Sequence, residues 1–262
     1  MFKWAASEQL IPVAVVEGLK TVDGLQVGRT NAAESEPVTP VAAEHVLATL
    51  PFLQPAVRAM VAVQLLTGVR PGEICRLRPE AINTSDDVWL FCPAAHKSRW
   101  RGKKRVVAIG PKAQALLARF TPPDPAEYYF SPRRVVDALH AARAAKRETK
   151  RYPSHESRNV AKRVVAPKRK AGEKYTVTSY GQAIRRAVKR ANWPFVEAGV
   201  EVECQIPDWH PNQLRHSRGT TVRHLYNLEA AQVVLGHAKA NVTEVYAERD
   251  LRLAVKVASE IG

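Results

Sequence analysis

Two short apolar runs on either side of a basic loop constrain the fold more than any other feature of the sequence. The runs "VWLFC" (88–92) and "RVVAI" (105–109) are rich in β-branched and aromatic residues, and the loop between them contains Gly102. Runs of this length and composition, bounded by turn residues, predict a β-hairpin. A third run, "EYYF" (127–130), would add one edge strand. The sequence therefore predicts a small antiparallel β-sheet.

Helical periodicity dominates the remainder of the chain. It is clearest in residues 181–192, where Ile184, Ala187, Val188 and Ala191 share one face. The opposite face carries the basic side chains of Arg185, Arg186, Lys189 and Arg190. We therefore predict an amphipathic helix here, in a fold that is mixed, mainly α with a small antiparallel β-sheet.

Other segments combine helical spacing with residues that begin or end helices. Pro71 suits the first turn of a short helix, and Gly236 suits the position just after a helix. The basic segment 151–175 predicts a mobile charged loop or a broken helix. Further helices are predicted over residues 1–10, around 57–65, 111–120, 132–150, 212–226 and 228–235.

The net charge of +15 is concentrated in one part of the chain. Residues 131–193 carry 18 Lys or Arg against 4 Asp or Glu, a net +14, whereas residues 1–50 carry a net −3. A charge asymmetry this local is typical of a surface that binds a polyanion, most simply nucleic acid. The alternatives are a solvated basic face or contact with an anionic membrane, but no amphipathic membrane anchor accompanies the charge.

Several classes of protein are disfavoured by composition and missing motifs. No apolar run approaches the roughly 18 residues that a membrane helix needs, and Glu8 interrupts the apolar start of the chain, against a signal peptide. The three cysteines are widely separated, which fits a reducing cytoplasm better than a disulfide framework or a zinc site. No phosphate-binding GxxxxGK[ST] loop, GxSxG, HExxH or Mg²⁺-type carboxylate cluster is visible. We therefore expect no metal ion, no ATP and no other cofactor.

Three segments together resemble the signature boxes of one enzyme family. "TGVRPGEICRL", "NQLRHSRGTT" and "VLGHAKANVTEVY" occur in the order of the tyrosine recombinase (phage integrase) family. Arg215 precedes His237 by 22 positions, and His237 precedes Tyr246 by 9, as in that family. The resemblance covers most of residues 41–250. It implies the integrase-type catalytic domain, which is the fold of DNA breaking-rejoining enzymes.

The resemblance also implies a metal-free chemistry that suits these residue types. Arg70 and Arg215 would hold the non-bridging phosphate oxygens with their planar guanidinium forks. Tyr246 would attack phosphorus, and a phenol with an ordinary pKa of about 10 needs nearby positive charge to ionise. Lys97 would protonate the departing 5′ oxygen, and His237 would bind the phosphate or help to accept the tyrosine proton. The predicted DNA contacts are Arg99, Lys103, Arg185, Arg186, Lys189 and Arg190.

Some of these residues also have simpler structural interpretations. Arg70 could pair with Glu73, and we interpret Glu73 as a brace rather than a catalytic group. Tyr226 is an alternative nucleophile, which we disfavour because the predicted helix 212–226 contains it. Read alone, His237 would cap a helix and Tyr246 would fill a core or an interface.

One departure from the family pattern concerns the second box. The family usually has histidine three residues before the second arginine, where this chain has Asn212, and His210 lies two residues earlier still. Asparagine can donate a hydrogen bond to phosphate but cannot transfer protons. Three interpretations are open: Asn212 is a tolerated substitution, His210 takes the place of the usual histidine, or activity is reduced. We favour the first interpretation and count Asn212 among the catalytic residues.

A second departure concerns the N-terminal part. Members of the family usually carry a helical core-binding domain that clamps DNA together with the catalytic domain. We assign residues 1–27 to a residual helix of that domain, 28–40 to a linker, and 41–262 to the catalytic domain with a basic insertion at about 131–193. The chain would then be a fragment, a truncated gene or the product of an internal start.

The resemblance implies duplex DNA as partner, a dimer or tetramer on DNA, and possible DNA-bending accessory proteins. Residues 247–262 are predicted to form a tail helix that docks on a neighbouring subunit. We therefore predict a site-specific recombinase in the cytoplasm, either associated with the bacterial nucleoid or encoded by a phage or mobile element. Two alternatives stay open: a truncated DNA-binding remnant with weak or no catalysis, and, ranked lower, a type IB topoisomerase.

Overall fold

The computed structural model describes residues 1–25, 29, 31, 33, 38–94, 105–150, 152–163, 170–199, 201 and 205–236. The chain divides into two compact units, Met1–Pro37 and Val38–Gly262. The boundary falls inside the predicted linker 28–40, part of which lies outside the described residues. The domain assignments themselves stay predictions.

The described part of the first unit contains two short helices instead of the single helix expected. Helix α1 spans Phe2–Ser7 and helix α2 spans Val13–Lys20. Between them Gln9 adopts a left-handed backbone conformation with φ of 59°. A non-glycine residue rarely has this conformation within a helix, and the helix predicted over residues 1–10 therefore ends early.

The second unit contains most of the helices. They are α3 (Ala43–Thr49), α4 (Pro55–Thr67), α5 (Pro71–Ile74), α6 (Pro111–Ala118), α7 (Pro132–Ala145), α8 (Pro153–Ala161), α9 (Val177–Glu197), α10 (Pro211–Leu225) and α11 (Leu228–Leu235). Helices α4, α6, α10 and α11 match the sequence predictions closely, while α7 ends five residues early. The segment 151–175 was predicted to be a mobile loop or a broken helix. Its described part contains α8, which agrees with the broken helix.

Among the described residues, a three-stranded antiparallel sheet confirms the predicted hairpin. Strands β2 (Trp89–Phe91) and β3 (Val107–Ile109) pair antiparallel, with Phe91 opposite Val107. Strand β1 (Ile82–Asn83) lies on the other side of β2 and was not predicted, because two residues show no periodicity. The described fold is thus mainly α with a small antiparallel sheet, as expected.

The edge strand predicted at 127–130 is wrong. The segment forms bends, although the Tyr129 N–H donates to the Leu77 carbonyl at 3.0 Å. Tyr129 and Phe130 are adjacent in the chain and both buried. Consecutive side chains of a strand point to opposite faces, so a strand on the sheet edge could not bury both against one core.

A buried polar network joins three helices of this unit. The Tyr180 hydroxyl of α9 donates to Gln64 Oε1 of α4 at 3.1 Å, and Gln64 Nε2 donates to the Pro211 carbonyl of α10 at 2.9 Å. Around it, the predicted apolar face of α9 is buried in the core. Satisfied buried polar groups fix helix positions, because any shift would leave them unpaired. Among the described helices, none is long and apolar enough to cross a membrane.

Candidate active site

A glycine turn at the end of α4 brings Arg70 to the site. Gly68 is left-handed, with φ of 66°, as is common for the residue after a helix. A Cβ at this position would lie 2.9 Å from Leu235 Cδ2, so the turn has no room for a side chain. Two residues later, Arg70 is the residue immediately before α5, which begins at Pro71.

Glu73 holds Arg70 through two contacts. Glu73 Oε1 lies 2.9 Å from Arg70 Nη1, and Glu73 Oε2 accepts the Arg70 backbone N–H at 3.0 Å. The Glu73 side chain is 3% exposed, whereas that of Arg70 is 30% exposed. The contacts are those of a brace, and they leave the Arg70 guanidinium partly accessible.

Arg105, just before β3, is a second cation beside the same carboxylate. Its Nε lies 3.7 Å from Glu73 Oε2, and its side chain is 4% exposed. Burial alone would raise the pKa of Glu73, but the charge of Arg105, the Arg70 N–H and the charge of Arg70 together lower it. Burial lowers the pKa of Arg105, Glu73 partly offsets this, and Arg70 adds to it. One buried carboxylate thus serves two guanidiniums.

Arg215 is almost fully buried, at 1% exposed. From α10, its guanidinium donates to the Gly68 carbonyl at the end of α4 and to the Leu235 carbonyl at the end of α11. The last carbonyls of a helix lack intrahelical partners and carry partial negative charge. Two helix ends therefore stabilise this buried cation, and the turn before Arg70 and the turn before His237 meet around it.

Asn212 lies one helical turn before Arg215 on α10. Residues three apart share a helix face, so Asn212 has the register that the family gives to histidine. Its Nδ2 lies 3.4 Å from Nε2 of His216, which is buried. His210 precedes the helix and its backbone N–H donates to Gln213 Oε1 at 2.9 Å. The structure thus places Asn212, inside the helix, on the Arg215 face.

The remaining predicted catalytic residues lie outside the described residues. Lys97 belongs to the β2–β3 connection, with Arg99 and Lys103, in the segment 95–104. His237 and Tyr246 lie in 237–262, which also includes the predicted tail helix 247–262. The structure does describe the segment that precedes His237 in the chain: α11 ends at Leu235, and Gly236 is left-handed, with φ of 61°.

Tyr226, the alternative nucleophile, was predicted to lie inside a helix, but it lies outside one. It is the first residue after α10, and it is 75% exposed. The ground on which the sequence disfavoured it is therefore wrong. It has the accessibility that a nucleophile needs, so it belongs in any test of Tyr246.

The predicted DNA-contacting residues of α9 are all exposed, as the amphipathic pattern indicated. They are Arg185, Arg186, Lys189 and Arg190. Arg185 Nε lies 4.0 Å from Asp208 Oδ2, with both side chains more than half exposed, so this ion pair is weak. The α9 row thus offers positive charge to solvent.

Sequence reasoning missed Arg105 and His216. Arg105 lies two residues before strand β3, and a charged residue beside such an apolar run was the available signal. His216 directly follows Arg215 in the sequence, but this position alone did not predict that the His216 side chain is buried. Among the described residues, no group of three or more His, Cys, Asp or Glu side chains could hold a metal ion.

Comparison with known proteins identifies the family. The model of the phage integrase family matches residues 43–252. No curated protein sequence matches significantly. Among solved structures, XerA recombinase is 17% identical, with a TM-score of 0.52 over 88% of this chain and 67% of that one.

Two further structures support the same fold. The Tn1549 transposon integrase, solved with circular intermediate DNA, is 15% identical, with a TM-score of 0.57 over 95% of this chain and 74% of that one. A lambda integrase dimer bound to a core site is 14% identical, with a TM-score of 0.55 over 94% of this chain and 55% of that one. The chain therefore belongs to the phage integrase family, the tyrosine-type site-specific recombinases.

Proposed function

We propose that this protein cleaves and rejoins duplex DNA through a 3′-phosphotyrosine intermediate, with no metal ion or ATP. The observation that carries the proposal is the arrangement around Arg215. One buried guanidinium joins the end of α4, which precedes Arg70, to the end of α11, which precedes His237. The Tn1549 and lambda integrases, which share the fold, were solved on DNA.

In the proposed reaction, the Tyr246 oxygen attacks phosphorus and the bond from phosphorus to the 5′ oxygen breaks. Arg70 and Arg215 stabilise the charge on the non-bridging oxygens, which grows in the transition state. Lys97 gives its proton to the 5′ oxygen, which leaves as a hydroxyl, and His237 helps to accept the tyrosine proton. Attack by a 5′ hydroxyl on the phosphotyrosine then reforms the phosphodiester and releases Tyr246.

Asn212 would contribute a hydrogen bond to the phosphate. It shares a helix face with Arg215, and its contact with His216 limits rotation of the carboxamide. An amide N–H can stabilise phosphate charge without changing protonation state. The substitution of asparagine for histidine is therefore compatible with the proposed chemistry.

The proposed DNA surface is the exposed basic row of α9 together with the wider basic segment 131–193. Arg99 and Lys103 in the β2–β3 connection would add contacts near Lys97. Phosphate contacts supply affinity and position the protein, while base contacts and DNA shape supply specificity. We further propose a dimer or tetramer on DNA, joined through residues 247–262 and assisted by DNA-bending proteins, acting in the cytoplasm.

The test is covalent capture on nicked duplexes that carry candidate sites from the DNA flanking the gene. A detergent-resistant protein–DNA adduct is expected with the natural sequence and should be absent in Tyr246→Phe. Tyr226→Phe is the matched control, because Tyr226 is an exposed tyrosine at the end of α10, the helix that carries Arg215. An adduct that survives Tyr246→Phe but not Tyr226→Phe would contradict the assignment.

A second candidate function, a DNA-binding remnant without catalysis, is favoured by Asn212 alone. Salt-sensitive DNA binding with no adduct from any site would support it. Asn212→His would then show whether the substitution is the cause, because histidine restores the family pattern at that position.

A further inference from the structure

We propose that Arg105 is a positioning residue that couples the Arg70 turn to the turn before His237. The proposal rests on the proposed function for its catalytic consequence, but its structural part stands on contacts alone. Arg105 lies within contact distance of both turns, although they are more than 160 positions apart in the sequence. No motif of the family resemblance includes it.

The first contact of Arg105 is with the brace of Arg70. Arg105 Nε lies 3.7 Å from Glu73 Oε2, the same oxygen that accepts the Arg70 backbone N–H. Both Arg105 and Glu73 are almost fully buried. A buried carboxylate must be compensated by cations or hydrogen bonds, so the position of Glu73 depends on Arg105 as well as on Arg70.

The second contact of Arg105 is with the C-terminal end of α11. Its Nη1 lies 3.5 Å from the Val234 carbonyl, at the limit of a hydrogen bond. The guanidinium also packs against Gly236: a Cβ at Gly236 would collide with Nη1 and lie 3.0 Å from Cζ. Gly236 is thus required both for its left-handed backbone and for the space that Arg105 fills.

Arg105 differs from Arg215 in what it joins. Arg215 binds the two helix-end carbonyls and belongs to the predicted catalytic set. Arg105 binds a side chain on one side and packs on backbone on the other, and within the described residues its Nε and Nη2 have no hydrogen-bond partner. A buried cation with so few partners depends strongly on Glu73, so a displacement of one should move the other.

The structural test is amide hydrogen exchange on the full chain. Arg105→Met should accelerate exchange about tenfold in residues 70–76 and 231–236, because local opening becomes easier in both turns. Arg119→Met, at an exposed arginine after α6, removes the same charge and should change neither segment. Acceleration confined to residues 105–109, or equal acceleration everywhere, would overturn the coupling.

A second variant reaches the same contact from the other side. Gly236→Ala should displace the guanidinium and accelerate exchange in residues 70–76, even though Gly236 lies in another turn. Combined with Arg105→Met it should add little in that segment, because the transmitting group is already gone. Independent, additive effects of the two substitutions at residues 70–76 would contradict the proposal.

The catalytic test uses the covalent-capture assay at saturating DNA. Arg105→Met should slow adduct formation by about 10- to 100-fold, as small displacements of positioned groups do, while DNA affinity changes by less than about twofold. Arg105→Lys should recover part of the rate, because it keeps the charge but not the planar fork. Unchanged rates in Arg105→Met, or no recovery in Arg105→Lys, would count against a positioning role. If the natural sequence forms no adduct, the proposed function fails while the exchange experiments still test Arg105.

Discussion

Arginine side chains are buried in the candidate active site of this protein but exposed on helix α9. In the site, Arg215 and Arg105 are buried, and each is held by helix-end carbonyls, a carboxylate or both. On α9, Arg185 and Arg186 belong to a row that stays exposed, with one weak ion pair to Asp208. A buried cation must be compensated by the fold, whereas an exposed one remains available to a polyanion.

The comparison predicts that the two regions respond oppositely to substitution. Loss of a buried guanidinium should reduce stability because its partners are left unsatisfied. Loss of an exposed one should leave stability unchanged and reduce DNA affinity. The following predictions run from the largest expected effect on the free energy of unfolding to the smallest.

Arg215→Ala should destabilise the protein most. It leaves the Gly68 and Leu235 carbonyls without their guanidinium partner, at a cost of about 2–4 kcal/mol from one or two unsatisfied buried groups. Urea unfolding should show this as a lower midpoint with little change in slope. Arg185→Ala is the matched control and should cost less than about 0.5 kcal/mol. Equal effects of the two substitutions would contradict the distinction between the regions.

Glu73→Gln should destabilise by about 1–3 kcal/mol, because the contacts of Glu73 with Arg70 and Arg105 are charge-assisted. The lowered pKa of Glu73 gives the effect a pH dependence. Its stabilisation is fully present above the pKa of the unfolded chain, about 4.3, and is lost as the pH falls through the lower folded pKa. The gap between the natural sequence and Glu73→Gln should therefore narrow below about pH 4.3.

Unfolding measured from pH 7 to pH 3 checks this prediction. Glu80→Gln is the control, because Glu80 pairs with Arg78 at an exposed site. A gap that stays constant through the acid range would show that the Glu73 carboxylate charge does not contribute.

Neutralising the α9 row should leave stability nearly unchanged. With Arg185, Arg186, Lys189 and Arg190 all replaced by Gln, DNA affinity should fall. The slope of log affinity against log salt should decrease by up to about 0.9 for each phosphate that the variant no longer binds. Titrations from 50 to 200 mM salt measure it. Replacing the exposed Lys112 and Arg119 by Gln should change the slope less per charge; an equal change would argue against an α9 contact surface.

Asn212→His should have the smallest effect on stability, within about 0.5 kcal/mol. It should add a pH dependence near about 6.5, the ordinary pKa of histidine, to the rate of adduct formation of the natural sequence, because a titrating group replaces a neutral amide. Rates of covalent capture from pH 5 to pH 8 would show this. Identical pH profiles for the two proteins would mean that residue 212 does not contact the phosphate.

Several features followed from sequence patterns alone. The spacing of Ile184, Ala187, Val188 and Ala191 predicted both the helix α9 and its buried face, and the two β-branched runs predicted the hairpin. The proline in the first turn of α5 and the glycine after α11 were also predicted correctly. These features depend on local preferences and on periodicity, which any short window of sequence contains.

The order and spacing of the three boxes also identified the family, which the match over residues 43–252 confirms. The roles of Lys97, His237 and Tyr246 stay predictions, because those residues lie outside the described part of the chain. The boxes were enough to identify Arg70, Asn212 and Arg215 as candidate site residues. They did not predict which of these side chains is buried and which is exposed.

Only the tertiary structure decided which charges are buried. The sequence shows Arg105 and Arg185 as equally basic, yet one packs between Glu73 and Gly236 while the other faces solvent. It also offered "EYYF" as a strand, whereas residues 127–130 form bends and bury Tyr129 and Phe130 side by side. Burial and pairing depend on contacts between residues far apart in the chain, such as Gly68 with Arg215 or Arg105 with Val234. Local periodicity cannot predict such contacts, because they form only when the helices pack.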